Sequence, residues 1–356
     1  MRKTIAMSSS VFSAYIKLNK HMRASQPIQP WSAAAGDVGY AEQAISLHTS
    51  TGQISGSLLL PGKSERAAAV LIVAGSGPTD RDGNSSGLEG NNDSLKLLAS
   101  ALAKAGFASV RYDKRGIAAS AAAGPREADL RFDTYVQDAV AWIQMLKADD
   151  RFSTVAVVGH SEGSLIGMLA ARQAGANAFV SIAGPARGAS AVLRQQLAGG
   201  LNAALAERSE AILISLERGQ TVSAVPAELE SLYRESVQPY LISWFRYVPE
   251  VEFARLSVPS QIIQGDTDIQ VSSTDAEALK RSKPDAELVM VKGMNHVLKL
   301  VPRETALQVA SYGDPSLPIA EELSKALVRF LANSMGNEVS APSLQRPPDD
   351  AAERKP

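Results

Sequence analysis

The sequence predicts an α/β fold, a mostly parallel central sheet with helices on both faces and a helical cap inserted between two of its later strands. Three observations carry this. From residue 69 to residue 183, short β-type runs alternate with amphipathic helical segments, and repeated β-α-β units call for parallel strands covered on both sides. Ala69–Ala74 (AVLIVA) is apolar without a break, the texture of a strand buried on both faces. Across 187–256 helical periodicity continues with no convincing strand, and strand texture resumes only at Ser260.

The elements follow in order. Gln43–Thr49 and Ile54–Leu60 flank Thr51-Gly52 and read as a hairpin. Ala69–Ala74 ends in a glycine-rich loop. Asp93–Ala105 has helical spacing, Gly106 stops it, and Phe107–Tyr112 is the next strand. Phe132–Lys147 is a helix, Thr154–Val158 a strand, Ser161–Gln173 a helix and Ala178–Ala183 a strand. Within the insertion, Gln195–Leu216 and Pro226–Phe245 read as two amphipathic helices or more. Ser260–Gln264, Ser273–Arg281, Leu288–Val291 and Ile319–Leu331 then give strand, helix, strand, helix. The core is thus expected at 41–186 and 257–335 with the cap at 187–256, where it can cover the strand ends at which open α/β sheets bind ligands. Residues 1–40 read as a flexible leader and 336–356, rich in proline and charge, as a disordered tail.

Composition excludes several classes of function. In 356 residues, 36 Lys and Arg nearly cancel 37 Asp and Glu, so no basic excess argues for nucleic acid. No stretch approaches the ~18 apolar residues of a membrane span. Arg2 and Lys3 begin the chain, but Ser8, Ser9 and Ser10 interrupt the place of a signal-peptide core, and a cytoplasmic location is the default expectation. The absence of cysteine removes thiolate metal sites and cysteine nucleophiles. No two histidines lie at metal-ligand spacing. Gly75-Ser76-Gly77 follows a strand, but Pro78 and the charged loop after it do not open a helix as a dinucleotide fingerprint requires.

The most informative stretch is Val155 to Gly163, a β run followed by Gly159-His160-Ser161-Glu162-Gly163 and then a helix. A nucleophilic serine on so sharp a strand-to-helix turn exposes its hydroxyl and leaves room only for small residues two before and two after it. The helix behind it favours the negative charge that develops in acyl transfer. Such a serine needs a base poised near neutrality. Of the four histidines, His21 lies in the leader, His48 in the hairpin, and His160 inside the turn itself. His296, just after the last expected strand, remains. The supporting carboxylate is sought between nucleophile and base, where Asp266 and Asp268 are both available.

Three segments taken together resemble one subgroup of the α/β-hydrolase carboxylesterases related to the serine aminopeptidase and dienelactone-hydrolase branches: Gly75–Asn84, Arg111–Gly116 and Gly159–Gly163. The resemblance spans residues 43–333. Ile117-Ala118-Ala119-Ser120 departs from it, since the family usually has a glycine before the small polar residue. The resemblance implies the α/β-hydrolase fold and hydrolysis of small carboxylic esters through an acyl-enzyme, with no metal or organic cofactor; a helical cap at 187–256 that encloses only a small pocket would favour short acyl chains. Gly265-x-x-Asp268 resembles the family's acid loop and points to Asp268, with Asp266 as a turn or capping carboxylate. The oxyanion hole would use the backbone N–H groups of Ser76 and Glu162, with Gly77 as the alternative first donor. The resemblance also suggests a polar network of Asp80, Arg81, Asp82, Lys114 and Arg115 at the mouth of the site, although turn scaffolding explains these charges equally well. Two other readings stand beside it: an aminopeptidase or acyl-peptide hydrolase in which Glu162 binds a substrate ammonium, and a non-catalytic receptor that keeps the fold.

Overall fold

The computed structural model describes residues 40–62, 66–198 and 200–336. The expected leader, except its last residue, and the expected tail, except Gly336, lie outside them, as does His21.

Eight strands form one sheet in the order β1-β2-β4-β3-β5-β6-β7-β8. β1 (Ala41–Thr49) and β2 (Gly52–Leu60) form the expected hairpin, and β2 pairs antiparallel with β4 (Ala108–Tyr112). All pairings from β4 through β3 (Ala67–Val73), β5 (Phe152–His160), β6 (Ala178–Ile182), β7 (Ser260–Gly265) and β8 (Glu287–Val291) are parallel. Side chains of the central strands alternate between two cores. Ala69, Leu71, Val73, Val155 and Val157 pack on one face, with α2 (Phe132–Lys147) and α3 (Glu162–Ala174). Val70, Ile72, Ala156 and Val158 pack on the other, with α1 (Ser94–Lys104) and α11 (Glu321–Met335). Every residue of β3 is buried. This is why the strand reads as a continuous apolar run rather than an alternating one.

Between β6 and β7 the chain is helical: α4 (Ala189–Leu197), α5 (Ala203–Glu217), α6 (Glu230–Tyr233), α7 (Gln238–Phe245) and α8 (Pro249–Ala254). The stretch Gln195–Leu216, part of a span read as two helices or more, divides into two. Asn202 accepts from the Leu205 amide and restarts the helix as an N-cap. The stretch Pro226–Phe245 likewise holds more than one helical piece, with a break at Arg234–Val237. After β7 come α9 (Ser273–Ser282), with a capping box from Ser272 and Asp275, and, beyond β8, α10 (Thr305–Ser311). Among the described residues no helix is long and apolar enough to cross a membrane.

Ala118 starts a short 3-10 turn with φ of 43°. That left-handed backbone is the one a glycine adopts without cost, which gives a physical reason for the family's glycine in this loop.

Candidate active site

Parallel strands deliver their carboxyl ends to one edge of the sheet, and the candidate residues gather there. Ser161 follows β5 directly with φ 56° and ψ −123°, a strained backbone for a residue with a side chain. Its N–H donates to Ile182 O at 3.0 Å, tying the turn to β6. The two glycines of the motif are sterically required: a Cβ on Gly159 would lie 2.2 Å from Gly163 O, and one on Gly163 would lie 2.2 Å from Val73 O. Glu162 occupies the first turn of α3, where amides have no intrahelical acceptor.

His296 sits in the loop after β8. Asn295 fixes that loop from within: its Nδ2 donates to Ser311 Oγ at 2.7 Å, and its Oδ1 accepts from the Lys299 amide at 2.9 Å. Asp268 sits in the loop after β7, and the two loops abut so closely that a Cβ on Gly265 would lie 1.9 Å from Met294 O. His296 Nδ1 and Asp268 Oδ2 are 2.8 Å apart, both residues buried. A carboxylate only accepts, so Nδ1 carries the proton and Nε2 is left with a free lone pair. The other oxygen, Oδ1, accepts from the amides of Gln270 and Val271 at 2.7 and 3.0 Å. Asp266 lies elsewhere: its Oδ1 accepts from the Gly293 amide at 2.6 Å and braces the turn after β8.

His160 is not turned away from the site. Its Nε2 donates to the backbone oxygen of His296 at 2.8 Å, and the two rings lie 4.9 Å apart. Burial, aided by the neighbouring His296, lowers its pKa to about 3 and keeps it neutral. Sequence reasoning set this residue aside because of its position in the turn. The short spacing of the motif carries no sign of a contact made 136 residues further on.

The loop 75–84 and its charged neighbours divide into two groups. Asp80 Oδ1 accepts from the amides of Asp82 and Asn84, both at 2.9 Å, and burial raises its pKa. Arg81 pairs with Asp113 at 2.7 Å, Asp82 with Arg111 at 2.9 Å, and Arg115 with Asp138. These four residues brace loops, and none lines the cavities described below. Lys114 is different. Buried, it donates to Gly75 O and to Glu162 Oε2 at 3.0 Å, and Glu162 Oε1 accepts from the Tyr240 hydroxyl of α7. Burial and the Glu162 charge hold that hydroxyl well above its usual pKa, so it stays a donor. Among the described residues no cluster of three or more His, Asp or Glu is arranged to hold a metal ion.

Two cavities meet at Ser161. One, of ≈ 100 Å³, is walled by Ser76, Gly77, Ser161 and Glu162 and by apolar residues that include Leu165, Val192, Leu193, Leu232, Leu241 and Trp244. Leu232 and Trp244 of the insertion are among these lining residues. Ile212 is wholly buried in the core, and Leu197, Leu201 and Phe245 pack against the core. The second, of ≈ 50 Å³, contains His296 as well as Ser76 and Ser161.

Sheet order, elbow and loop placement give this chain the α/β-hydrolase fold, and comparison with known proteins supports that fold class. A family model described as Serine aminopeptidase, S33, matches residues 85–238. The curated Esterase EstD of Thermotoga maritima is 25% identical over 280 residues, which cover 78% of this chain; the chain spans 66% of that relative's length. Among solved structures, Est1E from Butyrivibrio proteoclasticus superposes with a TM-score of 0.54 at 16% identity, over 83% of this chain and 99% of that one. The α/β-hydrolase GrgF from Penicillium sp. sh18 gives 0.55 at 20% identity, over 83% and 100%.

Proposed function

We propose that the chain is a serine carboxylesterase acting on short-chain esters, with Ser161 as nucleophile, His296 as general base, Asp268 as its support and the Ser76 and Glu162 amides as oxyanion hole. The observation that carries this is a buried His296–Asp268 pair whose histidine lines one cavity together with a serine on a strained strand-to-helix turn. The esterase similarity of the relatives points the same way.

In this reading Ser161 Oγ attacks the ester carbonyl carbon while His296 Nε2 takes its proton, and the oxyanion gathers at the two amides. The bond to the alcohol oxygen breaks, and His296 returns the proton to that oxygen. Water then attacks the acyl-serine with the same base, releasing the acid and restoring Ser161. Asp268 holds Nδ1 protonated throughout. Lys114 pins the carbonyl of Gly75 and so fixes the loop that presents the Ser76 amide. Helices α4 to α8 act as a cap over the acyl group.

An aminopeptidase in which Glu162 binds a substrate ammonium is less well supported. Both carboxylate oxygens of Glu162 are already engaged, by Lys114 and by Tyr240. Displacing either partner would leave buried charge unpaired.

The test is a parallel assay of p-nitrophenyl esters from C2 to C16 and aminoacyl anilides. Each CH₂ buried contributes ~0.8 kcal/mol until the wall is met, after which overpacking costs ~1–3 kcal/mol. kcat/KM is therefore expected to peak between acetate and butyrate and to be poor beyond about C8, with anilides not cleaved. Rates that rise to C12, or faster anilide cleavage, contradict the reading.

A further inference from the structure

We infer that the smaller of the two cavities is the leaving-group side, and that it selects esters of small, hydroxyl-bearing alcohols over alkyl esters of the same size. The inference rests on the esterase reading above and adds to it a substrate class and a residue, Ser85, that selects it.

The direction follows from proton bookkeeping. When the acyl–oxygen bond breaks, the leaving oxygen must take its proton from His296, so the alcohol has to lie on the histidine's side of Ser161. His296 lines the ≈ 50 Å³ cavity and is not part of the wall of the ≈ 100 Å³ one. The acyl chain therefore extends into the larger cavity toward Trp244, and the alcohol into the smaller.

Size and chemistry define that alcohol. Each water-sized group takes up roughly 10–15 Å³ of such volume, so about three to five non-hydrogen atoms fit. The lining includes three hydroxyl-bearing residues, Thr79 and Ser85 on the 75–84 loop and its continuation and Tyr312 after α10, together with Leu88 and Val297. Thr79 Oγ1 already donates to Ser76 O at 2.8 Å, and Tyr312 accepts from Gln270. Ser85 Oγ is buried and, among the described residues, has no hydrogen-bond partner. An unpaired buried hydroxyl is costly unless a ligand satisfies it.

Ser85 is also held in place. Its backbone pairs with Thr79 as an isolated antiparallel bridge, closed by Asp80 N–H donating to Asn84 O at 2.8 Å. Asn84 Oδ1 accepts from the amides of Asn92 and Asp93 at 2.8 and 2.9 Å, and Asp80 braces the turn between. Asp80, which lines neither cavity, thus sets the position of Ser85, which lines the smaller one.

The test compares 2-hydroxyethyl butyrate with propyl butyrate, which differ by OH for CH₃ at the end of the alcohol, each rate normalised to alkaline hydrolysis. kcat/KM is expected to favour the hydroxyethyl ester by roughly five- to tenfold, the worth of one neutral hydrogen bond. Ser85→Ala should bring the ratio to within about twofold. Trp244→Ala should move the acyl-length optimum upward with the alcohol ratio kept. Equal rates for the two esters in the parent, or a preference that survives Ser85→Ala, overturns the inference. So does an alcohol ratio that responds to Trp244→Ala and not to Ser85→Ala. If neither ester is cleaved and a fluorophosphonate fails to label Ser161, it is the esterase reading itself that falls.

Discussion

At the residue scale, the acid loop holds two carboxylates two positions apart, and the structure gives them different work. Asp268 meets His296, while Asp266 meets a backbone amide of the next turn. Asp268→Asn removes the acceptor that fixes the tautomer; the equivalent change in a serine protease triad costs about 10⁴ in kcat. Asp266→Asn should cost less than tenfold, measured on p-nitrophenyl butyrate at pH 8. The reverse order would remove Asp268 from the site.

His160 gives a second residue-scale prediction. Its folded pKa of about 3 lies below the unfolded value of 6.5, so below pH 6.5 the unfolded chain binds a proton that the folded one refuses. Stability is lost as pH falls through that window, by about 1.4 kcal/mol per pH unit at most. His160→Gln keeps a donor for the His296 carbonyl and removes the titration. Between pH 7 and pH 5 its unfolding free energy in urea should fall by ~1–2 kcal/mol less than that of the parent. Parallel losses would mean that His160 titrates normally in the folded state. Neither role was legible from the sequence, where His160 is simply the variable residue of a motif. A short motif fixes its glycines and serine by local crowding, but the partner of the residue between them comes from a distant loop.

At the scale of elements, the central strands were legible because burial on both faces demands unbroken apolar runs, as in Ala67–Val73. Helix α2 was legible to the residue because its apolar spacing runs unbroken to a polar end. The insertion was less so. Its periodicity continues across breaks, so α4 and α5 merge in a pattern reading, and Asn202 acts as a cap in a segment without proline. Helix α10 is short and was missed, along with the Tyr312 that follows it. Also hidden was the link between insertion and elbow, Tyr240 to Glu162, which joins residues 78 positions apart. It supplies a hydrogen bond to a buried charge, the kind whose loss costs ~1.5–3 kcal/mol. Tyr240→Phe should lower unfolding free energy in urea by that amount. A change below about 0.5 kcal/mol would show that Lys114 alone holds the carboxylate.

At the scale of the whole molecule, the sheet is the device that makes distant residues meet. Strands β5, β7 and β8 are neighbours or near neighbours in one parallel array, so Ser161, Asp268 and His296, far apart in the chain, emerge at one edge. Ser161 lies within the matched family segment 85–238; Asp268 and His296 lie beyond it, and their assignment rests on this geometry. The central claim is that Ser161 is the nucleophile, and the most direct measurement is labelling with a fluorophosphonate followed by peptide mass spectrometry, with esterase activity followed in the same tube. The account predicts one adduct per chain, on the peptide carrying Ser161, forming in step with loss of activity. Activity lost with the adduct on another residue, or retained with Ser161 fully modified, would contradict it.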